Sequence, residues 1–131
     1  MIIDELNGKI INTPKVYIHD DILTSLEFFR LNKQMVLNLD RYNSRDNYTI
    51  VFSNVIGFEM SSCDFWGESE CVFDFEYVER NERVIIPEMI KKWSTIHAKS
   101  PNIEYENFIE TLLTFSSGDH LRIACEKIEI N

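Results

Sequence analysis

The sequence predicts a mainly β protein, an antiparallel β-sandwich or partly open barrel with one short helix. Three observations carry this. Met35, Leu37 and Leu39 alternate with Val36, Asn38 and Asp40, and after the polar cluster Asn43-Ser44-Arg45-Asp46-Asn47 the run Tyr48, Ile50, Phe52 alternates with Thr49, Val51, Ser53. Period-two alternation on both sides of a turn cluster marks a hairpin with one face on a core. Cys71 to Val78 alternates in the same way, placing Phe73, Phe75 and Tyr77 on one face and Asp74 and Glu76 on the other. Only one segment, near Pro87, has convincing helical spacing. The alternative is an α+β fold in which Ile22 to Leu31 is also helical.

A chain of 131 residues, 44% apolar and 27% charged, fits a single domain (residues 1–131) that buries its own core. Within it, Asn7-Gly8 lies between two apolar runs and predicts a first hairpin with a type I′ turn. Pro14 makes Val16 to Ile18 an edge strand or a connection. Asp20 or Asp21 could cap a helix over Ile22 to Leu31, but the alternation of Leu26 and Phe28 with Glu27 and Phe29 favours a strand. Arg83 to Ile86 reads as an extension of a partner strand. Pro87 suits the first position of a helix, with Glu88 in its first turn, an apolar stripe of Ile86, Met89, Ile90, Trp93 and Ile96 or His97, and a stop at Pro101. The tail predicts a hairpin around Ser116 to Asp119, with Leu121, Ile123 and Cys125 on one face. Ile128 and Ile130 fall on the opposite parity, which requires a bulge or bend near Glu126-Lys127.

The net charge of −9 disfavours nucleic acid and anionic membranes and favours a cationic partner. Three cysteines, Cys63, Cys71 and Cys125, are odd in number and lack zinc-ligand spacing, so free thiols in a reducing, cytoplasmic setting are expected, without metal or cofactor. The N-terminus carries acids where a secretion signal has bases, and no apolar run reaches the length of a membrane span.

The candidate functional segment is Glu59 to Glu82, which holds eight acids and a single base, Arg80. Its expected partner-binding residues are Asp64, Phe65, Trp66, Glu68, Glu70, Asp74 and Glu76: carboxylates steer a basic protein and the aromatic pair anchors it. The competing reading folds Phe65 and Trp66 inward and leaves the acids as a solvated strand face. Asp74 and Glu76 stand roughly 7 Å apart along a strand, but a strand pair alone supplies neither separated pKa values nor enough ligands for a metal. His19-Asp20-Asp21 and Asp119-His120 place imidazole beside carboxylate, although neighbours along a strand point to opposite faces and turn chemistry accounts for the aspartates. Nucleotide-binding, metalloprotease and serine-hydrolase motifs are absent, and no catalytic residue is expected.

The His19-Asp20 step before a hairpin, the strand Ile50-Val51-Phe52-Ser53-Asn54-Val55 and the closing run Gly118-Asp119-His120-Leu121-Arg122-Ile123-Ala124-Cys125-Glu126-Lys127-Ile128-Glu129-Ile130 together resemble small bacterial immunity-type proteins of polymorphic-toxin systems. The resemblance covers about half the chain and rests mostly on strand chemistry. It implies a cytoplasmic protein that covers and neutralises one cognate toxin domain, with no catalytic residues to carry over. The alternative function is a small-ligand-binding or enzymatic β-fold with a pocket lined by Phe28, Phe52, Phe73, Phe75 and Tyr77. Acids on a convex face would favour the first reading, and acids in a deep concavity the second.

Overall fold

A computed structural model describes residues 1–61, 70–95 and 105–131. Among the described residues nine strands form two antiparallel sheets. The first contains β1 (Ile2–Ile3), β2 (Ile22–Phe29), β3 (Gln34–Asp40), β4 (Asn47–Ser53) and β9 (Lys127–Ile130), in the order β1-β9-β4-β3-β2. The second contains β5 (Gly57–Met60), β6 (Val72–Tyr77), β7 (Ile109–Phe115) and β8 (His120–Cys125), in the order β5-β8-β7-β6. Met35, Leu37, Leu39, Tyr48, Ile50 and Phe52 are buried from one sheet and Val72, Phe75, Leu113, Phe115, Leu121 and Ile123 from the other. Both belong to one apolar cluster, which is the sandwich core. Ile22 to Phe29 is strand, as the alternation favoured, and the helical alternative is excluded.

The bend at Glu126 proves to be the point where the chain leaves one sheet and enters the other. Cys125 ends β8, Lys127 starts β9, and Ile128 returns to the core from the opposite sheet. The change of parity in the sequence therefore marks a change of layer.

Four local expectations are corrected. Asn7-Gly8 makes no hairpin: β1 pairs with β9, and Gly8 opens a 3-10 turn, Gly8–Asn12, after Asn7 at φ −116°. Asp4 and Asn7 bind each other instead, Asp4 Oδ1 accepting from the Asn7 N–H at 3.3 Å and Asn7 Oδ1 from the Asp4 N–H at 2.7 Å. Glycine is required at position 8 for proximity, since a Cβ there would lie 2.7 Å from the Tyr77 ring.

Arg83 to Ile86 extends no strand. Helix α1 spans Ile85–Thr95, so Pro87 is its third residue rather than its first, still within the turn whose N–H groups need no helical partner. Ile86 is buried and Met89 packs on the outer apolar cluster, whereas Ile90 is exposed. Ile96, His97 and Pro101 lie outside the described residues.

Phe73 does not share the inward face of Phe75 and Tyr77. A bulge between Val72 and Asp74 shifts the register, burying Val72 and leaving Phe73 59% exposed. Finally, His19 and Asp20 do meet, Nδ1 to Oδ2 at 3.1 Å, because Asp20 adopts φ 70° and so breaks the strand-like alternation that would have separated them.

Candidate functional site

β6 is the terminal strand of its sheet, and a half-open groove of about 640 Å³ runs along its outer edge. The opposite wall is the connection from Ile11 to His19, held down by the buried side chains of Ile11, Val16 and Ile18. That connection is tied to β6 at both ends. Asn12 Oδ1 accepts the Tyr77 N–H at 2.9 Å, and the Asp20 N–H donates to the Val72 carbonyl at 2.8 Å.

Between these ties the anchors alternate with outward side chains, so Tyr17 and His19 reach the rim. Their rings stack at a centroid distance of 6.4 Å, and His19 lies 5.6 Å from the Phe73 ring that the bulge has turned outward. Asp74 and Glu76 line the groove from β6, and Glu82 joins them from the 3-10 turn Arg80–Glu82. Among the described residues Arg122 is the one guanidinium in the lining, and its Nη1 is engaged with Glu110 at 3.0 Å. Burial, then the charge and hydrogen bond of Asp74, push the Glu76 carboxyl above the usual carboxylate range, against an opposing pull from Arg122. No ion pair among the described residues engages Asp74, Glu76 or Glu82. The groove therefore concentrates negative charge beside flat rings, an arrangement that suits an ammonium or guanidinium group.

Of the seven expected partner-binding residues, Asp74 and Glu76 are brought together in this groove. Glu70 is buried, and its carboxylate accepts the Ser117 N–H at 3.1 Å, closing the β7–β8 turn rather than facing solvent. Asp64, Phe65, Trp66 and Glu68 lie outside the described residues. The expected aromatic lining is dispersed. Phe73, Phe75 and Tyr77 reach the groove, Phe52 is sealed in the core, and Phe28 packs against Phe58 with centroids 4.9 Å apart. Sequence reasoning missed Tyr17 and Glu82 as members of the site. Tyr17 had a usable signal, the alternation Val16, Tyr17, Ile18, His19 on an anchored connection.

Other acids are consumed by the fold. Glu110 is fully buried on β7, where Oε1 accepts the Ile86 N–H at 3.0 Å and Oε2 accepts the Val84 N–H at 2.8 Å, capping α1 while pairing with Arg122. Glu5 binds Arg83 at 2.7 Å, Arg80 at 3.0 Å and the Tyr77 hydroxyl at 2.8 Å. Asp21 accepts the Tyr48 hydroxyl at 2.6 Å and Arg41 at 3.0 Å, and burial, reinforced by Asp21, pushes the Tyr48 hydroxyl strongly up. Cys125 is buried, which pushes its thiol up and away from the nucleophilic form, and Cys71 is shifted in the same direction by burial and then by Asp20 and Glu70. No group of three or more His, Cys, Asp or Glu side chains among the described residues is arranged to hold a metal ion. Nor is any described helix long and apolar enough to cross a membrane.

The molecule is thus an antiparallel β-sandwich with an acidic, aromatic-rimmed groove at one sheet edge. No protein-family model matches the chain, and no curated protein matches it in sequence.

Proposed function

We propose that the protein is a binding module whose groove beside β6 holds a cationic segment of a basic protein partner. The observation that carries this reading is the set of three carboxylates, Asp74, Glu76 and Glu82, that face the groove without an ion-pair partner among the described residues, next to the exposed rings of Tyr17, His19 and Phe73. Steering by such a field speeds encounter, and aromatic walls slow release. The similarity to immunity-type proteins makes a cytoplasmic toxin domain the partner of choice. The ligand-binding or enzymatic alternative has weaker support: the groove is half-open rather than a deep concavity, and among its described lining residues His19 is oriented by Asp20 but no serine, cysteine or lysine stands beside it as a nucleophile.

Affinity capture with the wild-type protein and with the Asp74→Asn, Glu76→Gln, Glu82→Gln triple variant tests the proposal. A basic protein held by the wild type at low salt and released by the variant supports it. A partner that both proteins retain equally through 0.5 M salt, roughly a 4 Å screening length, would place recognition elsewhere.

A further inference from the structure

The groove also exposes main-chain groups. The Val78 N–H donates to the Glu110 carbonyl across the β6–β7 pair, and in an antiparallel ladder the residues that exchange such bonds alternate. Glu76 and Asp74 accordingly turn their main chain toward β7, while Phe75 and Tyr77 turn theirs toward the groove. Asn12 takes the Tyr77 N–H, and beyond the bulge Val72 exchanges bonds with Asp20 and Asp21, its N–H donating to the Asp21 carbonyl at 2.9 Å. Phe75 stands between these ties with its N–H and C=O directed into the groove and no hydrogen-bond partner for them among the described residues. Phe75 thus offers one N–H and one C=O, the pair that an added strand needs at a sheet edge.

We infer that an extended segment of the partner adds to the free edge of β6 at Phe75, presenting Lys or Arg on either side of one apolar residue. This rests on the basic-partner reading above and specifies its mode. The residue opposite Phe75 would exchange both main-chain bonds with it and so point, as Phe75 does, toward the apolar side of the groove, where Ile11 and Val16 stand. Its two neighbours would point the other way, beside Asp74 and Glu76. Charge selects the occupant. A second copy of this chain pairing edge to edge at Phe75 would set Asp74 of each copy against Glu76 of the other, and like charges across a strand pair repel. The ties at Asn12 and Asp20 limit the added strand to a few residues, so a loop tip or chain end fits better than a long strand.

Three blocked Gly/Ser-rich peptides test this by titration into isotopically labelled protein: one with a central Lys-Val-Lys, one in which that valine is N-methylated, and one with Glu-Val-Glu. The expected result is that Lys-Val-Lys binds, shifts the Phe75 amide resonance and slows its hydrogen exchange, that methylation weakens binding about tenfold or more by removing the N–H aimed at the Phe75 carbonyl, and that Glu-Val-Glu does not bind. Equal binding of the methylated and unmethylated peptides would overturn strand addition and leave the basic-partner reading standing. Failure of both lysine peptides to bind at low salt, together with a partner retained by the triple variant, would remove both. A salt-sensitive dimer of the free protein that protects the Phe75 amide would overturn the choice of occupant.

Discussion

Glu110 and Glu76 lie on neighbouring strands of the same sheet, and both interact with Arg122, yet they are opposite kinds of acid. Glu110 is enclosed, with two main-chain donors at a helix start and a guanidinium at 3.0 Å. Glu76 is half-buried beside another carboxylate, and burial and that neighbour push its carboxyl above the usual carboxylate range. An acid whose every oxygen is matched from within belongs to the fold. One set against its own kind is left for something from outside.

Breaking the first kind has the larger effect. Glu110→Ala strands Arg122 and two helix-start N–H groups, and should cost about 3–5 kcal/mol in denaturant unfolding. The bulge in β6 offers an equally sharp contrast between adjacent aromatics: Phe75→Ala should cost about 3–5 kcal/mol, and Phe73→Ala no more than about 0.5 kcal/mol. Equal losses at the two positions would show that the bulge is misplaced. Gly8→Ala drives a methyl against the Tyr77 ring and should cost about 1–3 kcal/mol, read as a lower denaturation midpoint with an unchanged slope.

The smallest effect is the most specific. Because the Glu76 carboxyl titrates higher in the folded protein than in the unfolded chain, the folded state holds its proton more tightly. The associated stability is complete below the ordinary carboxylate pKa and is lost as pH rises through the elevated one. Glu76→Gln should therefore stabilise the protein at neutral pH by on the order of 0.5 kcal/mol, with the advantage vanishing near pH 4, about the ordinary glutamate value. Thermal melts at the two pH values check it. A gain that persists in acid would mean that the repulsion from Asp74 is not its source.

These contrasts also mark what the sequence could disclose. The inward series Met35, Leu37, Leu39 and Tyr48, Ile50, Phe52 was legible because one covered face repeats every second residue, and a bend near Glu126 was legible because it breaks that repeat, but not that the bend carries the chain into the other sheet. The bulge at Phe73 was not, since Val72 and Phe73 are both apolar and either could have been the inward residue of the alternation. Asn7-Gly8 misled because local turn chemistry yielded to side-chain bonds and to the Tyr77 ring, which lies far away in sequence. Within the site, Asp74 and Glu76 were found from strand parity. The inward turn of Glu70 depends on the Ser117 N–H, and the burial of Glu110 depends on the Val84 and Ile86 N–H groups at the start of α1. Neither tertiary partner is written beside the acid it binds.

The placement of β9 between β1 and β4 governs how the chain can reach this state. Ser53 pairs with Lys127, and Ile3 with Ile128, so β1 has no partner in the sheet and one side of β4 stays open until β9 arrives. The hairpin of β3 and β4 can form early from local contacts. The edge of β4 must then wait, with its apolar face covered only in part, while most of the chain is synthesised. Folding dominated by such distant pairings runs on the millisecond-to-second scale, because the long loop between β4 and β9 must close before their contacts reward it.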